Sequence, residues 1–353
     1  MTDLTVDVAD LAGAADAAGA CSVPLAWPRL AGHLPQWAPA IAAGLRHRGF
    51  LLRVRKESQL RGAMPLILVK GPLFGRFLVS LPYINTGGAW ARDEETAQAL
   101  VDRACDLADE LDVRYLELRH EVPVDHPKLH FQRTEKVHLR LPLPASDALL
   151  DKSFKSKLRS QVRKAGQFDH TVVFGGAELL KDFYDVFAVN MRDLGTPVFS
   201  RRLFAEVLRQ SDPQRAGFHA ELCVLRNQGR AIAAALLVHA EGMTEVPSAS
   251  CLRSHNHTGA NMWMYRHLLR RAIERGSQQF DFGRSSVGSG TYKFKTQWGA
   301  VPHPAVWQYY VRKGSVEAMR PDNAGNQRLI KIWQKLPVWL TRIIGPEIVR
   351  GIP

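Results

Sequence analysis

One order of elements, used twice, constrains this 353-residue chain more than any other feature. Residues 49–71, GFLLRVRKESQLRGAMPLILVKG, read as an apolar strand, a polar turn and a second apolar strand, which is the signature of a hairpin. Residues 218–242, FHAELCVLRNQGRAIAAALLVHAEG, repeat it with Asn-Gln-Gly-Arg at the turn. Downstream of each hairpin comes a glycine step, a helix and a strand: TGGAWARDEETAQALVDRACDLADELDVRYLELRH in the first half, TGANMWMYRHLLRRAIERGSQQFDFGRS in the second. Ala97, Leu100, Val101, Ala104, Leu107, Ala108 and Leu111 recur at three- and four-residue spacing, as do Met262, Tyr265, Leu268, Leu269, Ala272 and Ile273, so each helix has one apolar face. Strands at 114–119 and 279–282 follow. The pattern predicts an α+β (mixed α/β) chain of two similar domains, each a mixed sheet flanked by helices. Chance recurrence of a common order of elements is the alternative.

The prolines of LPLPASDALLDKSFKSKLRSQVRKAGQ close the first domain near residue 145, and residues 145–166 read as a single basic helix. The expected organisation is a first domain over 1–145, the basic helix over 146–168, a second domain over 169–320, and an amphipathic helical tail over 321–353. A last strand is expected at 307–312, and Pro337 is expected to break the tail. Leu329, Ile332, Trp333, Leu336, Leu340, Ile343 and Ile344 form the tail's apolar stripe. It is expected to pack back on the domains, with rest on a membrane surface as the alternative. The first ten residues hold no Lys or Arg, and the longest apolar run, Ala231 to Val238, is too short to cross a bilayer. Cys21, Cys105, Cys223 and Cys251 are far apart and form no CxxC pair. A cytoplasmic protein, at most peripheral to the inner membrane, is expected. The formal net charge of +13 favours anionic partners without choosing among them.

Chemistry concentrates in residues 280–299, FDFGRSSVGSGTYKFKTQWG. Gly283, Gly288 and Gly290 allow positive backbone angles and close approach to a ligand. Lys293 and Lys295, read as an extended strand, would share a side and form an anion site, or else protect a strand edge. Thr258 to Asn261 open the second helix, where the N–H groups of Gly259, Ala260 and Asn261 could hold a pyrophosphate, or simply cap the helix. Arg159 and Arg163, one turn apart on the basic helix, could grip a phosphate or be a solvated surface. His239 reads as a satisfied core histidine, and His126, His130, His255 and His257 lack a third metal ligand at a suitable spacing. GxSxG, HExxH and P-loop patterns are absent.

KSKLRSQVRKAGQ, the stretch from Tyr184 to Phe204, QFDFGRSS and GTYKFKTQWG together resemble the FemAB family, in the branch associated with exosortase/PEP-CTERM systems. The resemblance implies two tandem acetyltransferase-like (GNAT) domains. It implies an acyltransferase acting on a surface glycan, exopolysaccharide or lipid-linked precursor, with acyl-CoA as donor co-substrate and no permanently bound cofactor or metal. An aminoacyl-tRNA donor is the alternative, made weaker because the helical hairpin of tRNA-using relatives has no counterpart here; a non-catalytic binding module is the third reading. DNA is not an expected partner. On this resemblance Lys295 is the first catalytic candidate, with Asp281 as base or positioning group. Phe294, Lys293, Arg284, Tyr292 and Arg159 or Arg163 are the expected substrate contacts.

Overall fold

A computed structural model of the chain describes residues 4–11, 30–71, 74–211, 217–240, 242–314 and 324–353. Cys21 lies outside them. The first half runs β1 (Leu4–Asp10), α1 (Trp37–Leu45), β2 (Arg48–Lys56), β3 (Gln59–Gly71), β4 (Gly75–Val79), β5 (Trp90–Ala91), α2 (Glu94–Glu110), β6 (Tyr115–His120), β7 (Phe131–Arg133) and β8 (Lys136–Pro142). The next part runs α3 (Asp147–Ser153), α4 (Ser156–Ala165), β9 (His170–Gly175), α5 (Leu180–Leu194), α6 (Arg201–Arg209), β10 (His219–Asn227), β11 (Arg230–Ala240) and β12 (Met243–Cys251). After these come α7 (Ala260–Glu274), β13 (Gln279–Ser286), α8 (Gly290–Thr296), β14 (Val301–Pro304), β15 (Val306–Val311), α9 (Ala324–Lys335) and α10 (Val338–Val349).

These elements form two compact units, each around its own sheet. The first sheet has the order β1-β2-β3-β4-β6-β15-β7, with β5 paired to β3; the second has the order β9-β10-β11-β12-β13-β8-β14. The two orders correspond strand for strand. In both, a run of antiparallel strands ends in one parallel pair, β4 with β6 and β12 with β13. The repeat read from the sequence is therefore a repeat of fold.

The correspondence includes an exchange. β8, from the end of the first half, lies in the second sheet, and β15, from the end of the second half, lies in the first. The first unit comprises residues 1–136, 304–323 and 347–353, and the second 137–303 and 324–346. The expected boundaries at 145 and 320 do not follow this division, because a strand's local sequence does not say which sheet will pair with it.

In the first unit, α2 starts where the Asp93 side chain accepts the Thr96 backbone N–H. Its apolar face, Leu100, Val101, Ala104, Leu107 and Ala108, packs with Leu52, Val54, Met64, Leu66, Leu78, Leu116 and Leu118 as one core. In the second unit, α7 buries Met264, Tyr265, Leu268, Leu269 and Ala272, whereas Met262 and Ile273 are half-buried. Burying a large aliphatic side chain contributes about 1.5–3 kcal/mol, so these faces hold each helix on its sheet.

The expected helix over 145–166 is two helices. Phe154 adopts extended backbone angles between α3 and α4, and its buried ring meets Trp298 edge-on at 5.3 Å. A continuous helix would turn that ring elsewhere. The tail does break at Pro337, between α9 and α10. Among the described residues no helix is long and apolar enough to cross a membrane.

Candidate active site

The two parallel strand pairs do not end alike. β12 and β13 are paired only over Met243 to Glu245 and Gln279 to Asp281, and beyond that the strands part. A fork of this kind exposes backbone polar groups that must find other partners or a ligand. In the first unit β4 and β6 are paired over Phe77 to Val79 and Tyr115 to Glu117. There the following loop supplies the partners: the Arg119 carbonyl accepts the N–H groups of Gly87 and Gly88, and its guanidinium donates to the carbonyls of Leu81 and Ile84. That fork is closed by the chain itself.

In the second unit Lys295 is the partner. It lies on α8, whose first turn is capped by the Ser289 hydroxyl accepting the Tyr292 N–H. Its buried ammonium donates to the carbonyls of Gly283, at 3.0 Å, and Arg284, at 3.1 Å. Successive carbonyls of a regular strand point to opposite sides, and one ammonium could not reach both. Gly283 makes this geometry: its φ of +75° puts a left-handed residue in the strand. Burial pushes the Lys295 pKa down to about 8, with the charges of Asp281 and Glu245 resisting. An ammonium has three N–H bonds and two are spent on the strand, which leaves one for a ligand.

Asp281 holds the same stretch of strand. One carboxylate oxygen accepts the Gly283 N–H at 2.7 Å, and the other accepts Arg140 Nε at 2.9 Å. Both residues of this ion pair are buried. Asp281 was expected as base or positioning group; buried, with an interaction on each oxygen, it holds in place the strand that Lys295 grips. Arg140 comes from β8, the exchanged strand.

The other sequence candidates are distributed differently. Lys293 and Lys295 lie on a helix rather than a strand, about 200° apart. Lys293 is exposed and Lys295 buried, so the expected paired anion site does not form. Phe294 packs with Tyr265 and Trp298, and Tyr292 and Arg284 are half-buried at either end of the segment joining β13 to α8. Arg159 and Arg163 share an exposed face of α4, and Arg159 donates to the Phe154 carbonyl. His239 is satisfied as expected, through Glu221 and Thr244.

At the start of α7, read from the sequence as a possible pyrophosphate cradle, some of the groups are already engaged. A Cβ on Gly259 would come within 2.9 Å of the Ala165 Cβ, so α4 packs directly on this glycine. The Gly259 N–H is used by the Asn256 carbonyl, and Ala260 is fully buried. Reading the sequence alone found none of Arg140, Glu245, Ser285, Asn190 or Ser250. Glu245 is buried at the fork's base, Asn190 of α5 donates to the Ser250 hydroxyl on β12, and the buried Ser285 hydroxyl has no hydrogen-bond partner among the described residues. For the strand residues Arg140, Glu245, Ser250 and Ser285 the signal was a charged or polar side chain inside a strand, and Asn190, on a helix, carried none.

Residues 152–296 match the acetyltransferase (GNAT) domain family, and this span holds both strands of the fork and Lys295. No curated protein sequence matches the chain. Among solved structures the chain is similar to FemX, with a TM-score of 0.60 and 15% identity, over 87% of this chain and 95% of that one. It is also similar to L-PGS from Bacillus licheniformis, with a TM-score of 0.51 and 14% identity, over 81% and 86% of the two chains. At these identities the likeness is one of fold. Residues 152–296 are thus identified with the acetyltransferase (GNAT) domain, within a chain that has the fold of FemX over most of its length.

Proposed function

We propose that this protein transfers an acyl or aminoacyl group to an amine or hydroxyl, and that the reaction takes place at the fork between β12 and β13. The observation that carries this reading is the parting of the two strands with a buried ammonium at the opening. An acyl carbonyl laid in the fork can extend the broken ladder, accepting from backbone N–H groups of β12 beyond Glu245. When the nucleophile attacks, negative charge grows on the carbonyl oxygen or on the departing group. The remaining N–H of Lys295 stabilises that charge, help of a kind that contributes about 3–4 kcal/mol when a single preorganised donor is removed. Asp281 and Arg140 hold the strand so that Lys295 needs no rearrangement.

The donor is an activated carboxyl, either an acyl-CoA thioester or an aminoacyl ester on tRNA. The resemblance to the FemAB family supports a cell-surface precursor as acceptor, glycan or lipid-linked, and a link to exosortase systems. Calorimetry of the purified protein with acetyl-CoA, longer acyl-CoAs and charged tRNA tests the reading, with Lys295→Met as control. Binding of one donor class, weakened in the variant, supports transfer at the fork. A folded protein that binds none of them refutes the reading and leaves a non-catalytic binding module.

A further inference from the structure

The tail helices dock by one face and leave a second apolar face in solvent. On α9, Ile330 closes over Gly195, Trp333 is buried, and Gln334 donates to the Asp193 carbonyl. On α10, Thr341 is buried and Gly345 lies against Val198. These contacts account for the docked side. Leu329 and Ile332, three residues apart on α9, remain 64% and 59% exposed, and Trp339 and Ile343, four apart on α10, are each 64% exposed. Residues 339 and 343 are about 200° around the helix from the docked 341 and 345. Two short helices thus each present an apolar pair, one with a tryptophan, where a solvated surface would be polar.

The charge beside this face has one sign. Arg328, Lys331 and Lys335 on α9 are exposed, and among the described residues none of them has an ion-pair partner. Arg342 is engaged by Asp185. No Asp or Glu occurs between Ala324 and Pro346, in a chain of net charge +13. Apolar side chains including an indole, flanked by unpaired cations with no acidic residue among them, fit a surface that is apolar beneath and anionic above. A second copy of the same face would instead bring like charges together.

We propose that α9 and α10 form a docking face for an anionic lipid surface, with Leu329, Ile332, Trp339 and Ile343 entering the headgroup boundary and Arg328, Lys331 and Lys335 meeting lipid phosphates. The proposal does not depend on which acyl donor is used. It is tested by sedimenting the full-length protein with vesicles of phosphatidylglycerol and phosphatidylcholine, and with vesicles of phosphatidylcholine alone. The expected result is binding to the anionic vesicles, lowered by salt, and much weaker binding to the neutral ones. Trp339→Ser combined with Ile343→Ser lowers the partition about tenfold or more, and Lys331→Gln or Lys335→Gln lowers it about fivefold each. All four positions are exposed, so an unchanged thermal midpoint shows that the variants fold. No binding to anionic vesicles, equal binding to both vesicle types, or undiminished binding by the double serine variant overturns the proposal. So does self-association that the double variant abolishes, which would make a second copy the occupant.

Discussion

Replacing Lys295 with Met gives a stability change whose dependence on pH reports directly on the fork. In the folded chain burial holds the ammonium's pKa at about 8, against an ordinary 10.5. Between these values the unfolded chain keeps a proton that the folded chain has released, so the stability of the wild type rises with pH relative to the variant. At about 1.4 kcal/mol per pH unit, the whole rise is about 3 kcal/mol. Below about pH 8 the wild type carries the full cost of the buried charge, and above about pH 10.5 that cost is gone. Losing the ammonium also leaves the Gly283 and Arg284 carbonyls without their donor, which destabilises the variant by about 1–3 kcal/mol at every pH. That loss displaces the curve without changing its slope. Buried tyrosines titrate in both proteins and cancel in the difference. Urea unfolding of both, at several values from about pH 7 to about pH 10.5, should show the difference growing by about 3 kcal/mol. Parallel stability curves would refute the argument, because they would mean that water reaches Lys295 and that its ammonium is not enclosed at the strand opening.

The buried pair of Arg140 and Asp281 should show strong non-additivity: Arg140→Leu or Asp281→Leu alone costs about 3–5 kcal/mol, and the double variant recovers much of that loss, measured by urea unfolding. Gly259→Ala places a methyl group against Ala165 at a left-handed backbone angle, and is expected to cost about 1–3 kcal/mol by thermal unfolding. Glu221 is desolvated by burial, yet hydrogen bonds from Arg271 and His239 outweigh this and hold its carboxyl well below the usual range. Its contribution is present above the ordinary value of 4.5 and is lost as pH falls below it, so Glu221→Gln should flatten the acid limb of the stability profile.

The sequence made the duplication legible because hairpins and amphipathic helices carry local signals, a turn and a period, that survive without knowledge of the fold. It did not reveal the exchange of β8 and β15, since LRLPL and VWQYYV specify strands but not their neighbours. Lys295 was singled out from the sequence but read on a strand, whereas it lies on α8. Tyr292 and Phe294 alternate with the lysines as strand residues do, and that period masked the Ser289 cap that starts α8. The break at Phe154 carries no glycine or proline, and the ring's burial against Trp298 is purely tertiary. Arg140 and Glu245 were passed over for the same reason: a single charge in an apolar strand acquires meaning only when its partner's position is known.

The exchanged strand also sets a timetable for synthesis. Val306 stands opposite His120 and Val311 opposite Tyr115, so β15 meets β6 across about 190 residues of chain. At about 5–20 residues per second, a ribosome that has finished β6 needs about 10–40 s to deliver the strand that belongs beside it. Throughout that interval the first sheet carries an unfilled edge at β6, a template for pairing with any other extended chain. The protein is most exposed to misassembly while half made, and an occupant that shields β6 on the ribosome would change its yield more than its final stability.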